Sequence, residues 1–258
     1  MPTVTVDNQT LYYTHTRGPA GAPALFLIHP AGGTHLDWPP QLRRLPQAAV
    51  YAVDLPGHGR SAPPGRQRIE DYAAAVQTLI GRLDLDDAVL AGHSMGGAIA
   101  LEIALQQPAW LRGLVLMGSG AQLPVNPQFL AQTREDFAGA VEFMARYSWS
   151  PEAPADLVAA GRAQLAQTSP DVLSGDLLAC NRYDRRDDVH GITVPTLVIT
   201  GGADRMTPPA LGEYLARTIP QAELLQLEGA GHMLMLERAD AVAVATGNFI
   251  SRLAGEES

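Results

Sequence analysis

Short, almost wholly apolar runs recur along this chain: Ala24–Ile28, Ala49–Val53, Ala88–Ala91, Leu114–Met117, Thr196–Thr200 and Glu223–Leu227. A strand that is apolar on both sides must be covered on both faces, and such strands read as buried members of a parallel sheet. The segments between them carry helical periodicity. Ile69–Leu83 places Tyr72, Val76, Leu79, Ile80 and Leu83 on one face, and Met95–Gln106 carries Ile99, Leu101, Ile103 and Leu105. Pro208–Thr218 and Ala239–Leu253 complete the set. Strand–helix alternation of this kind predicts an α/β fold, a mostly parallel sheet with helices on both faces. Ahead of it, residues 3–7 and 10–16 alternate apolar and polar side chains as a half-exposed antiparallel pair does. Asp7-Asn8 supplies the turn between them.

The rhythm fails over residues 121–190. Helix-like pieces at Pro127–Tyr147, Ala153–Gln167 and Pro170–Tyr183 follow one another with no strand between them, punctuated by Pro124, Pro127, Pro151, Pro154 and Pro170. This predicts a helical insertion at 121–190, with 1–120 and 191–258 forming the body. The insertion holds Phe129, Phe137, Phe143, Met144, Tyr147 and Trp149. Such side chains either pack the insertion onto the body or line a substrate cavity beneath it. No internal repeat at a solenoid period is present.

Composition removes several classes of function. At 258 residues the chain suits one large domain with an insertion. All 18 basic side chains are arginines, which excludes a P-loop lysine, a Schiff-base lysine and a pyridoxal site. A net charge of −9 argues against nucleic-acid binding. Cys180 is the single cysteine, so no internal disulfide forms; its helix-like surroundings suggest a buried, unreactive thiol. The amino terminus lacks a basic segment followed by an apolar one, and no apolar run reaches ~18 residues. A cytoplasmic protein without a membrane span is expected, as a monomer or homodimer. No HExxH, calcium loop or strand-following GxGxxG appears, so neither metal nor nucleotide cofactor is expected. The acidic end, Gly255–Ser258, reads as a frayed tail.

The chemistry concentrates at Gly92-His93-Ser94-Met95-Gly96, which follows an apolar run and opens a helix. GxSxG in a strand–turn–helix setting is a nucleophile elbow. A serine at the tip of a tight turn points its hydroxyl out over the strand ends, and the flanking glycines leave room for neighbouring backbone. A nucleophilic serine needs a base, and the base needs an orienter. The usual order after this elbow is acid, then histidine. Only His190 and His232 follow Ser94. His190 sits in the charged stretch Asp184–His190 ahead of its strand, whereas His232 directly follows the last strand run, where α/β sheets build sites. Asp204 lies just past Thr196–Thr200, while the end of Leu114–Met117 offers only Gly118-Ser119-Gly120. The catalytic candidates are therefore Ser94, Asp204 and His232. An oxyanion hole needs two backbone N–H groups. Met95, after the nucleophile, supplies one; Ala31, in the loop His29-Pro30-Ala31-Gly32-Gly33, supplies the other, because Pro30 has no N–H. His29 itself reads as a strand-end histidine bonded to neighbouring loops. Trp38, Phe129, Phe143, Met144, Trp149, Met206 and Met233 are candidate substrate contacts.

Taken in order, the His29 loop, Asp54-Leu55-Pro56-Gly57-His58-Gly59-Arg60-Ser61, the Ser94 elbow, Asp204 and His232 make nearly the whole chain resemble the α/β-hydrolase fold family. The resemblance implies an eight-stranded, mostly parallel sheet with a helical cap inserted after strand six. It also implies turn-forming roles for Asp54 and Arg60. Pro30 is a departure, standing where many members carry glycine. A serine nucleophile sets the chain apart from the aspartate-nucleophile branches, and its small cap is similar to those of carboxylesterases, enol-lactonases and carbon–carbon bond hydrolases. The implied activity is hydrolysis of a small carboxylic ester or lactone. Carbon–carbon cleavage or a lyase step with the same residues stays open, as does a ligand receptor with little turnover.

Overall fold

The computed structural model describes residues 2–255. The chain opens with β1 (Thr3–Val6) and β2 (Gln9–Thr16), joined at Asp7 and Asn8. Both turn residues have positive φ, 48° and 63°, which a two-residue hairpin turn of matching twist requires. Then follow β3 (Ala24–Ile28), a 3-10 turn (His35–Asp37), α1 (Pro40–Arg43), β4 (Ala49–Val53), α2 (Ile69–Arg82), β5 (Ala88–His93), α3 (Met95–Ala104) and β6 (Leu111–Met117). Four helices intervene: α4 (Pro127–Glu135), α5 (Phe137–Tyr147), α6 (Ala155–Leu165) and α7 (Pro170–Arg182). After a 3-10 turn (Val189–Gly191) come β7 (Thr196–Gly201), α8 (Pro209–Thr218), β8 (Ala222–Leu227), α9 (Leu234–Glu237) and α10 (Ala239–Gly255). Of the expected acidic tail, residues 256–258 lie outside the described residues.

The eight strands form one sheet in the order β1-β2-β4-β3-β5-β6-β7-β8. The β1–β2 and β2–β4 pairs are antiparallel and the rest parallel. Period-two alternation splits the apolar runs between two cores. Phe26, Ile28, Leu90, Leu114 and Leu116 pack under α2 and α3; Leu25, Leu27, Val89, Val115 and Ile199 pack under α1 and α10. The register pairs Ile28 with Gly92, Gly92 with Leu116 and Leu116 with Val198. Loops leaving β3, β5, β6 and β7 therefore emerge at one edge, where open α/β sheets place their sites. Among the described residues no helix is long and apolar enough to cross a membrane.

Two expectations change. β8 is parallel as expected but not a buried strand. It lies at the sheet's edge, and its residues are half-buried or exposed, with Leu224 left 41% exposed. A strand at a sheet's edge lacks a neighbour on one side, and apolar content alone does not reveal that. The single helix expected over Pro127–Tyr147 is two. At Asp136 the backbone leaves the helical region (φ −145°, ψ 75°), and the carboxylate turns to accept the Gly139 N–H at 2.9 Å as the N-cap of α5. Aspartate favours this role because its side chain offers the backbone an alternative partner. Asp136→Ala should cost about 1 kcal/mol of stability, seen as a lower urea midpoint with unchanged slope.

Candidate active site

Ser94 joins β5 to α3 with φ 53° and ψ −116°, a conformation strained for any side chain. Neighbouring bonds hold it there. Ser94 N donates to the Met117 carbonyl at 2.9 Å, while Gly97 N, Ala98 N and the Ser119 hydroxyl all donate to the Ser94 carbonyl. The two motif glycines have the steric role expected of them. A Cβ on Gly96 would collide with the Ile28 carbonyl oxygen, and one on Gly92 with the Gly96 carbonyl. The first-turn N–H groups of a helix have no partner within it. Here Gly97 and Ala98 close back on Ser94, and among the described residues the Met95 N–H has no acceptor.

His232, in the loop after β8, meets Asp204, in the loop after β7. The imidazole Nδ1–H donates to Asp204 Oδ2 at 2.9 Å. Asp204 Oδ1 accepts the Met206 and Thr207 N–H groups at 2.8 and 2.9 Å, and the Thr207 hydroxyl lies 2.7 Å from Oδ2 and 2.8 Å from the Gly118 carbonyl. Burial alone would raise the Asp204 pKa, but His232 and these donors together hold it below the usual carboxylate range. Thr207 escaped the sequence reading; the signal was a hydroxyl three residues after the acid. His93 escaped it too. Its Nε2–H donates to the His232 carbonyl at 2.9 Å, fixing the backbone of the histidine loop. Burial first, and then His232 alongside, push its pKa down, so the ring is neutral.

The loop after β3 is a tight turn, with Gly33 N donating to Pro30 O at 3.0 Å. The Ala31 N–H has no acceptor among the described residues and borders the same cavity as Ser94 and His232. His29 is a bonded strand-end residue: Nδ1–H donates to Pro30 O at 2.8 Å, and Nε2 accepts the Leu55 N–H at 3.0 Å. Burial, with the neighbouring His58 charge, pushes its pKa down to about 3. Asp54 accepts the His35 and Arg60 N–H groups and the His35 ring, a turn-forming role.

The cavity measures about 650 Å³. Phe129, Phe143, Met144, Trp149, Met206 and Met233 all border it. Trp38 does not, which corrects its expected place as a substrate contact. The Thr34 capping box winds residues 35–37, and Trp38 follows in extended conformation. Its indole is thereby delivered, fully buried, into the α1/α10 core beside Leu42. Of the insertion's other aromatics Tyr147 borders the cavity and Phe137 does not; Leu177 and Cys180 border it without having been expected there. Burial pushes the Cys180 thiol pKa up, against reactivity.

Beneath the loop after β3 lies a further histidine–carboxylate pair, His58 and Asp176, at 2.7 Å with both side chains buried. Burial alone would lower the His58 pKa; the adjacent Asp176 carboxylate outweighs it and raises it above the ordinary 6.5. His29, Asp54 and Tyr72 also face this pair.

The sequence pattern described as the alpha/beta hydrolase family matches residues 25–245. A pimeloyl-(acyl-carrier protein) methyl ester esterase of Neisseria meningitidis serogroup B is 33% identical over 247 residues, covering 90% of this chain and 94% of the relative. Among solved structures, a thermophilic esterase superposes with a TM-score of 0.86 at 31% identity, covering 98% of this chain and 97% of its own. The enol-lactonase from Burkholderia xenovorans LB400 superposes with a TM-score of 0.89 at 27% identity, covering 97% and 100%.

A group whose folded pKa is raised stabilises the fold below its unfolded pKa and loses that contribution as pH rises through the folded value. The stability gap between wild type and His58→Gln should therefore be widest below pH 6.5 and narrow on the alkaline side. Urea melts across a pH series measure it, and a gap that widens with pH would contradict the charged assignment.

Proposed function

The chain belongs to the alpha/beta hydrolase family and is an esterase-type hydrolase, and on that premise we propose that it cleaves a small carboxylic ester or lactone through an acyl-enzyme on Ser94. The observation that carries this reading is the His232–Asp204 bond at 2.9 Å, beside a strained serine that borders the same cavity.

With Nδ1 committed to Asp204, His232 has Nε2 for proton transfer. Ser94 Oγ attacks the substrate carbonyl while Nε2 takes its proton. The developing oxyanion is held by the Ala31 and Met95 N–H groups, neither of which has another partner among the described residues. The start of α3 adds positive potential at the same point. Collapse of the tetrahedral species expels the alcohol, which receives the proton from His232. In a lactone the alcohol stays tethered to the acyl group. Water, deprotonated by His232, then attacks the acyl-enzyme and releases the acid. Asp204 orients the imidazole and stabilises its cation without taking a proton. Thr207 and the two main-chain donors keep that carboxylate anionic and fixed.

Residues 121–190 act as the cap, with 1–120 and 191–258 as the hydrolase body. Supporting this, α4 to α7 supply Phe129, Phe143, Met144, Leu165 and Leu177 to the cavity wall. The end of α5 and the segment after it are bonded to the catalytic loops: Met233 N donates to Ser148 O at 2.9 Å, and Arg205 donates to the Arg146 and Trp149 carbonyls. The largely apolar wall favours an uncharged acyl chain. The relatives named for a methyl ester and for an enol-lactone both act on ester bonds, which supports the same substrate class here.

Steady-state hydrolysis of p-nitrophenyl acetate and butyrate tests the reading. Multiple turnovers are expected, and Ser94→Ala should lower kcat by about 10³-fold or more. Full activity in a clean Ser94→Ala preparation would remove the serine from the mechanism. Stoichiometric labelling without turnover would favour a ligand receptor instead.

A further inference from the structure

Asp176, on α7, is fully buried and takes no part in the reaction above. Its carboxylate accepts three hydrogen bonds. The Tyr72 hydroxyl donates to Oδ1 at 2.5 Å, and His58 Nε2 and Gly32 N donate to Oδ2 at 2.7 and 2.8 Å. The other nitrogen of His58 lies 3.0 Å from the Pro56 carbonyl, which can only accept. Both ring nitrogens thus face acceptors, and the ring satisfies both only as an imidazolium. Asp176 and His58 form an ion pair sealed from water. Pairs of this kind are a weak means of gaining stability, since apolar side chains of similar size often serve as well.

What this pair holds is a turn. Pro30–Gly33 is closed by the Gly33 N–H on Pro30 O, and Gly32, third in the turn, has φ +66°. Ala31 is not among the positive-φ residues, so the turn is type II. Types I and II differ by a flip of the central peptide, here Ala31–Gly32, whose N–H is the one Asp176 accepts. The preceding peptide, Pro30–Ala31, is held through its carbonyl, which accepts from Gly33 N and His29 Nδ1. The following one is held by the Thr168 hydroxyl on Gly32 O at 2.6 Å. Ala31 is pinned on both sides, and α7 supplies one of the pins.

We propose that Asp176 is a positioning residue for the oxyanion hole: held in place by His58 and Tyr72, it grips the Gly32 amide, fixes the type II turn and so aims the Ala31 N–H at the oxyanion. The proposal rests on the reading of Ala31 as an oxyanion donor. Outright loss of one such donor costs about 10²–10³ in kcat. Loosening it should cost less and should act on the transition state rather than on substrate binding.

The test is p-nitrophenyl butyrate hydrolysis by the full chain and its Asp176→Asn, Tyr72→Phe and Ser94→Ala variants. Two inhibitors of matched chain length accompany it: a trifluoromethyl ketone, which forms a tetrahedral adduct with a serine, and the corresponding secondary alcohol, which cannot. Asp176→Asn should lower kcat by about 10-fold or more, with KM changed less than about 3-fold. Its affinity for the ketone should fall in step with kcat while that for the alcohol holds. Tyr72→Phe removes another donor to the same carboxylate but leaves the Gly32 bond, so it should keep kcat. If Asp176→Asn does not fold, His58→Gln takes its place with the same expected split, because Asp176 loses the partner that holds its carboxylate oxygen against the Gly32 amide. An unchanged kcat, or equal losses of kcat in Tyr72→Phe, overturns the proposal. Ser94→Ala still abolishing turnover in that outcome shows that the hydrolase reading survives it. Undiminished turnover in Ser94→Ala overturns both.

Discussion

The site depends on a close approach that no side chain could share. Gly96, in the first turn of α3, faces the Ile28 carbonyl at the end of β3 so tightly that a Cβ would collide with it, and Gly92 faces Gly96 in the same way. That contact seats the start of α3 directly on the end of β3. The elbow after β5 and the loop after β3 thereby become parts of one rigid corner. The Met95 and Ala31 N–H groups come from those two pieces, so their mutual placement follows from a packing distance rather than from any bond between them. The strain at Ser94 is sustained by the same corner, with Met117, Ser119 and the first turn of α3 all bonded to its peptide groups.

Of the buried histidine–carboxylate pairs at this edge of the sheet, His232–Asp204 and His58–Asp176 have opposite characters, given by their surroundings. His232 shares Asp204 with Thr207 and two backbone donors and borders the cavity, so one of its nitrogens stays available. His58 has both nitrogens committed, one to Asp176 and one to the Pro56 carbonyl, with both side chains sealed. The same two residue types thus leave a ring nitrogen free in one loop and commit both in another, and the difference is what the second ring nitrogen faces.

The parts of this arrangement legible in the sequence are those fixed by local rules. The strand runs fall where period and burial put them, and Ser94, Asp204 and His232 each follow a strand directly, so one register brings their loops together. The parts that were not legible depend on distant partners. His58 and Asp176 are 118 residues apart, and Gly32 and Asp176 are 144 apart. Nothing near any of them signals the others. Trp38 sits beside the oxyanion-side loop in sequence yet points into the opposite core, because a capped 3-10 turn rotates the chain before it. The break at Asp136 lies inside a stretch whose apolar spacing suits one continuous helix, and only the side chain's choice of Gly139 as partner decides otherwise.

The helices between β6 and β7 are bonded into the sheet they cover at two separate loops. Asp176 reaches from α7 to the loop after β3, and Thr168 reaches the same loop from between α6 and α7. On the other side, Glu237 accepts both the Ser150 and Gly231 N–H groups at 3.2 Å, tying the segment after α5 to the residue before His232. The inserted helices therefore hold the backbone on both flanks of Ser94. Any movement that keeps these bonds must leave Ser150, Thr168 and Asp176 in place. A rigid-body swing of the whole insertion would break main-chain bonds at the histidine loop and the oxyanion-side loop together. Contacts to the loop after β3 and contacts to the His232 loop are then carried by different residues of the same segment.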